Sequence, residues 1–415
     1  MYTYNIAVIG GGAAGVIAAI RASEFNKNII LIEKNASIGV KILLTGAGRC
    51  NITNIADIET FVEKFRNQGK FLRTAFHRFS NQALMDFFES KGLKLKSERQ
   101  GRVFPSTDNA RSVIETLQKC LKESEIDILY NSTLLNIIKK DDLFEMALPN
   151  SEKVYAKKVI FATGGVSYPE TGSTGDGLRI ANRLGHAIIP LKAALVPLRT
   201  KEAWVNDLKG IALENIRIVF LIDGKKITSD VGELMFTHFG VSGPLVLDLS
   251  GKVVEFLSKK KEVKLIIDLK PGLDTAKLEI RLLRDVESMG TAKLLTVMEG
   301  LLPKRMARVF LRVANVNPDR EANQVTRNER HIIMRMLKAF PLTIEAPLSM
   351  KHGMVTNGGI STEEINPRTM ESKVISGLYF AGEIIDGAAP SGGYNLQQAF
   401  STGFLAGEEA AKCVR

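Results

Sequence analysis

Cysteine is scarce: three residues in 415, at positions 50, 120 and 413. That spacing excludes a disulfide framework and a Cys-x-x-Cys metal site, and it suits a reducing cytoplasm, the location expected here. Long apolar runs are missing as well. None approaches the ~20 residues of a membrane-spanning helix. The chain passes from Met1 directly into the strand-like run Tyr4–Ile9, with no basic segment before a cleavable apolar core, so no signal peptide is expected. There is no internal repeat, no low-complexity stretch and no RRM or KH signature.

Acidic residues are in deficit, 45 against 56 Lys and Arg, for a net charge of +11. Either a solvated basic surface or a polyanionic partner accounts for this. The surplus is clustered. Residues 59–102 hold 10 Lys/Arg against 5 Asp/Glu, and residues 274–340 hold 13 against 8. These two stretches are the candidate contacts for a polyanionic partner.

The strongest pattern lies at 4–34. Ile6, Val8 and Ile9 form a short buried strand, and Gly10, Gly12 and Gly15 supply G-x-G-x-x-G at the opening of a helix over 13–25. Gly10 permits the tight turn, Gly12 lets a pyrophosphate approach the backbone, and Gly15 lets helix and strand pack closely. The helix start offers free N–H groups and partial positive charge to phosphates. A second strand, 29–32, ends in Glu33, where a carboxylate accepts the adenosine ribose hydroxyls and disfavours a 2′-phosphate. The resident nucleotide is therefore FAD or NAD.

Regular βα repeats, usual for an NAD dehydrogenase, do not follow. The chain enters the loop TGAGRCNITN (45–54), then a basic and mostly helical stretch, and returns to strand only near 133–138. Another buried strand, KKVIFATGG (157–165), ends in Thr163-Gly164-Gly165. Far along the chain, Leu378–Ala381 predicts a strand, followed by Gly382-Glu383, the pair Gly392-Gly393, and a helix over 395–411. No second complete fingerprint appears, so NAD(P)H is expected as a transient electron donor rather than a resident.

Together, GxGxxG…EK, TGAGRCNITN, ATGG, FTHFGVSGP (236–244), VTNGGIS (355–361) and GLYFAGEIIDGAAPSGGYNLQQAFSTG resemble a family of bacterial FAD-dependent oxidoreductases. That family is similar to a bile-acid enone reductase, an aminoacetone oxidase and a ribosomal-RNA dihydrouridine synthase. The match spans nearly the whole chain. Two positions depart from it: Ala47 stands where a third glycine is usual, and Ser391 where threonine is usual.

The resemblance implies an α/β fold with a discontinuous Rossmann-like FAD-binding domain, 1–190 and 350–415. A β-rich insert is expected at 191–272 and 341–349, with a small helical cap at 273–340. Alternating runs such as IRIVFLIDGKKITSD, and helical periodicity in LEIRLLRDVESM and RHIIMRMLKAF, agree with that division. The implied FAD contacts are Gly10, Gly12, Ala13, Ala14, Gly15, Glu33, Lys34, Lys41, Gly48, Arg49, Cys50, Asn51, Leu134, Thr163, Gly164, Gly382, Glu383, Gly392, Gly393, Tyr394, Asn395 and Leu396. No metal is expected.

Reduction of a C=C bond needs a hydride on one carbon and a proton on the other. Three residues are candidate proton donors. Cys50 is either that acid or a small residue packed against the cofactor. Tyr394 is either an acid or an aromatic wall, and His238 either an acid or a structural hydrogen-bonder. The expected activity is hydride transfer from reduced FAD to an activated C=C bond, with a uracil of ribosomal RNA as the first substrate. The alternative is a small-molecule flavoenzyme, an enone reductase or amine oxidase.

Overall fold

The computed structural model describes residues 3–412; Cys413 lies outside them. Two compact units are present: one joins the residues up to Ala193 with those from Gly353 onward, and the other is Ala194–His352.

The first unit is built on a seven-stranded sheet. Strand Thr3–Ile9 lies at its centre, parallel to Ile29–Ile32 on one side and to Lys153–Phe161 on the other. Asp127–Leu129 extends the sheet beyond Ile29–Ile32, also in parallel. The nine-residue strand Lys153–Phe161 has two different partners along its other edge. Its first half takes the antiparallel hairpin of Leu143–Ala147 and Asn136–Lys140, and Val159–Phe161 takes Leu378–Phe380 in parallel. The strand expected from position 133 begins at Asn136. Ile6, Val8, Ile29, Leu31, Val159 and Phe161 are at most 1% exposed, each burial stabilising by ~1.5–3 kcal/mol.

Helix Ala13–Ser23 is buried on nearly every face, as a helix apolar all round must be. The sheet covers one side and the closing helix Tyr394–Lys412 covers another. Contact between the two helices is close. A Cβ on Gly403 or Gly407 would stand 2.2 Å from the carbonyl oxygen of Ala14 or Ala18. Glu408 seals this packing: it is fully buried and paired with Arg21, Arg78 and Lys412. The basic stretch forms helices Ile58–Lys64, Gly69–Arg78 and Asn81–Ser90, beside a small sheet of Thr53–Asn54, Leu95–Ser97 and Arg102–Pro105.

In the second unit the antiparallel pairing closes on itself. The circuit runs Ala212–Ile222, Gly232–Phe236, Gly240–Ser242, Leu198–Thr200, Phe340–Pro347, Val263–Asp268 and back to Ala212–Ile222. This is a six-stranded barrel, which leaves no long open edge. The helices over 275–338 share one hydrophobic core with it, through Leu278, Leu282, Phe310, Ile333 and Leu337 among others. They do not form a separate cap with a core of its own.

Candidate flavin site

The carboxyl ends of Thr3–Ile9, Ile29–Ile32 and Lys153–Phe161 open on a cleft of about 1340 Å³, solvent at its mouth included. This is the ligand position expected where strand order reverses in an open α/β sheet. Its wall comes from Gly10–Ala14, Glu33–Asn35, Gly39–Ile42, Ser132–Leu134, Ala162–Gly164, Thr171–Ser173, Gly382–Glu383 and Asn395–Leu396, among others.

Local chemistry explains the phosphate end. Gly10 has φ +102°, and a Cβ there would stand 2.6 Å from the Ala162 carbonyl. At Gly15 a Cβ would stand 1.8 Å from the Gly10 carbonyl, so both turn and helix entry demand glycine. Gly12 is different: a Cβ there meets nothing within 4 Å, leaving its backbone open to a ligand. No side chain caps the following helix and no acid lies in its first turn, so its partial positive charge is uncompensated. Glu33 is 6% exposed and already oriented. One oxygen accepts from the Gly11 N–H at 2.6 Å, the other from the Asn35 N–H and side-chain amide, both at 2.7 Å.

Two lysines line the cleft within polar networks. Lys34 donates to Asp176 at 2.5 Å and to Thr174 at 2.8 Å. Burial works to raise the Asp176 pKa, but the Lys34 and Thr174 bonds outweigh it and hold the carboxyl below its usual range. Lys41 donates to Glu383 and to Ser167, both at 2.5 Å. Glu383 also accepts from the Ser167 hydroxyl and the Thr356 N–H. Burial pushes Glu383 up; the Lys41 ammonium, with the Thr356 and Ser167 bonds, brings it below the ordinary carboxylate range.

Several expected contacts do not line the cleft. Cys50 is 0% exposed, and its burial, only partly opposed by a bond with Thr45, pushes the thiol up to about 12. Its backbone sits at φ +62°. Of the two roles open to it, the burial and its place away from the cleft wall favour packing. Arg49 turns to Glu98 and Asp108, at 2.9 and 3.2 Å, and stacks on the Phe104 ring instead of reaching a ligand. The Asn51 amide, oriented to satisfy its neighbours, joins Thr53, Val103 and the Gly393 N–H. Gly48 holds φ +85° without entering the wall, and Ala47 takes φ +56°, a left-handed backbone for which glycine would be the unstrained choice.

The second glycine pair serves packing. A Cβ on Gly393 would stand 2.2 Å from the Thr53 carbonyl, and one on Gly392 2.8 Å from the Tyr394 ring. Tyr394 itself is 7% exposed, edge-on to Phe61 at 4.9 Å, inside a cluster with Phe65 and Phe76. Its packing is that of an aromatic core residue. His238 is exposed on a turn of the barrel unit, its ring edge-on to Phe239. Gly15 lies behind the wall as a packing residue, while Ala13, Ala14, Leu134, Gly164 and Leu396 belong to the wall itself.

Sequence reasoning missed Asn35, Ser173, Asp176 and Gly177, all of which line the cleft, as does Thr45 at the start of the loop 45–54. The glycine-rich run at 172–177, so soon after ATGG, was the available signal. The wall fits a flavin nucleotide at its phosphate end: Gly12 leaves its backbone open, the helix that follows is uncapped, and the Glu33 carboxylate is fixed beside them, the parts of a dinucleotide cradle. The Thr163 hydroxyl is buried against Gly177 with no hydrogen-bond partner among the described residues.

Comparison with known proteins agrees. A 3-dehydro-bile acid delta(4,6)-reductase from Clostridium scindens is 31% identical over 98% of this chain and 99% of its own. A ribosomal RNA dihydrouridine synthase from Escherichia coli is 28% identical over 99% and 98%. Among solved structures, an open flavocytochrome c3 fumarate reductase has a TM-score of 0.55, at 18% identity, covering 99% of this chain and 78% of that one. A 3-ketosteroid delta1-dehydrogenase from Sterolibacterium denitrificans has a TM-score of 0.56, at 13% identity, covering 99% and 100%. The family model described as HI0933-like protein Rossmann domain matches residues 4–409. The chain belongs to the HI0933-like family of FAD-dependent oxidoreductases.

Proposed function

We propose that the protein reduces a carbon–carbon double bond conjugated to a carbonyl, with a uracil of ribosomal RNA as substrate and NAD(P)H as electron donor. The chemistry shared by its relatives supports this reading. One is named for reducing a bile acid and two for making dihydrouridine, all three matching nearly full length. In both cases a C=C bond beside a carbonyl gains two hydrogens. FAD, when bound, supplies the hydride. Gly12, the start of helix Ala13–Ser23 and Glu33 would hold its adenosine diphosphate half. Glu383, kept ionised by Lys41, is a fixed acceptor in the same cleft. With Cys50 and Tyr394 buried away from the wall, the proton for the second carbon is left to His238 or to solvent.

RNA is favoured over a small molecule by charge, because phosphate contacts dominate nucleic-acid affinity. The stretches 59–102 and 274–340 each carry a surplus of five positive charges. The 31% identity to the bile-acid enzyme supports a second reading, a small-molecule enone reductase. Deleting the gene and measuring dihydrouridine in ribosomal RNA by mass spectrometry separates them. Loss of the modification is expected. Unchanged dihydrouridine, with turnover of an enone by the purified protein, would establish the second reading.

A further inference from the structure

The positive surplus of residues 59–102 is not evenly exposed. Arg73 pairs with Glu59 at 2.7 Å, Lys91 with Glu123 at 3.4 Å and Lys96 with Asp108 at 2.5 Å, and Arg78 is tied to Glu408. Five exposed cations have no carboxylate within ion-pair reach among the described residues: Lys64, Arg66, Lys70, Arg99 and Lys94, the last lying at the far end of strand Leu95–Ser97 from Arg99. Lys64 ends helix Ile58–Lys64, Arg66 stands on the turn that follows, and Lys70 stands in the first turn of helix Gly69–Arg78. Arg99 stands on the turn that joins strands Leu95–Ser97 and Arg102–Pro105.

Both turns are fastened to one loop, residues 386–393. Gln68 donates its side-chain amide to Asp386 at 2.7 Å. Asn54 donates to the Gln100 carbonyl and to the Gly392 carbonyl, both at 2.9 Å. That loop is part of the cleft. Gly387 lines it, and a Cβ on Gly387 would stand 3.2 Å from the Gln68 side chain. The chain then runs through Tyr394, whose ring lies 5.8 Å from the Lys64 ammonium, to Asn395 and Leu396 in the wall. So two basic turns are both joined to a loop that borders the cleft at Gly387.

We propose that Lys64, Arg66, Lys70 and Arg99 form a phosphate-tracking rim that seats single-stranded RNA so that an unstacked base enters the cleft. The proposal rests on the RNA reading of the function. Four uncompensated charges on two turns exceed what one carboxylate of a small substrate needs, and they match a polymer with a charge on every unit. A base must leave its stack to reach an enclosed site, and a backbone held on both sides of a loop permits that. Arg66 is held at φ +51°, a left-handed backbone costing about 1–2 kcal/mol outside glycine. The turn is thus fixed in shape.

The test is anisotropy of a fluorescein-labelled single-stranded oligouridylate against the flavin-loaded protein, across a salt series. In the variant carrying K64Q, R66Q, K70Q and R99Q, the slope of log affinity against log salt should shrink by about 3, at ~0.7 per phosphate contact. Affinity near 0.1 M salt should fall on the order of a hundred-fold. R73Q, which removes a cation already paired, should leave slope and affinity unchanged. K64R with K70R, which keeps the charge, should bind as the wild type does. Visible absorbance shows that each variant keeps its flavin. An unchanged slope in the fourfold variant overturns the rim. If the wild type binds the oligonucleotide through these four residues but its reduced flavin is not reoxidised by any uridine-containing RNA, the rim stands and the reaction assigned above fails.

Discussion

Removing the Glu408 carboxylate should destabilise the first unit sharply, and the effect should disappear in acid. The side chain is fully buried among Arg21 at 2.6 Å, Lys412 at 2.5 Å and Arg78. Burial alone would raise its pKa. The bonds from Arg78, Lys412 and Arg21 outweigh that and bring it down to about 2. Against an ordinary value of about 4.3, this is roughly 2 pKa units, or ~3 kcal/mol at 1.36 kcal/mol per unit. Glu408→Gln keeps the shape and removes the charge. A loss of about 3 kcal/mol is expected near pH 7, which for a unit of this size lowers Tm by roughly 6–12 °C. The sign follows from linkage. Because the folded pKa is depressed, the contribution is complete above the unfolded pKa and is lost as pH falls through the folded one. The gap between wild type and variant should therefore stay constant from pH 8 to about pH 5 and close towards pH 2. Thermal melts across that range measure it. A gap below about 1 kcal/mol at pH 7, or one that persists unchanged at pH 2–3, would refute the reasoning.

Three further outcomes are expected. Cys50→Ala should keep the pH profile of turnover, since the thiol is buried and fully protonated, and native protein should resist iodoacetamide at this position; a lost acidic or basic limb would restore Cys50 to the chemistry. Thr163→Val should leave FAD affinity within about two-fold in a fluorescence titration, because the hydroxyl is buried against Gly177, while apo-protein stability holds or rises because an unpartnered hydroxyl is removed. Gly407→Ala should cost about 1–3 kcal/mol by overpacking against the Ala18 carbonyl and should lower flavin content as the first helix shifts; melts and absorbance report both.

The first strand, helix and second strand were legible because every local signal agreed: an unbroken apolar run, glycines at fixed offsets, and a terminal acid. The strand at 153–161 and the closing helix were readable for the same reason, period and punctuation. What was hidden depends on partners far along the chain. The loop at 45–54 looked like a cofactor-facing element by its glycines, polar groups and thiol. Yet Arg49 finds Glu98 and Asp108, and Asn51 finds Gly393, and no local pattern announces such pairings. Thr53–Asn54 and Leu95–Ser97 are too short to show a two-residue period. The helices over 275–338 showed their apolar stripe, but a stripe does not say whether it meets other helices or a barrel.

Pairing of Leu378–Phe380 with Val159–Phe161 has a consequence for biosynthesis. A ribosome that has made the first half of the chain has produced strands whose neighbour does not yet exist, and the helix that covers Ala14 and Ala18 comes later still. The barrel unit, Ala194–His352, has all its strands and helices in hand by then. Domains tend to fold as they emerge, so the barrel is free to form first. The nucleotide cradle, although encoded at the start, is finished last. Nascent protein is therefore expected to stay colourless until translation has passed the closing helix, with flavin loading following synthesis instead of guiding it.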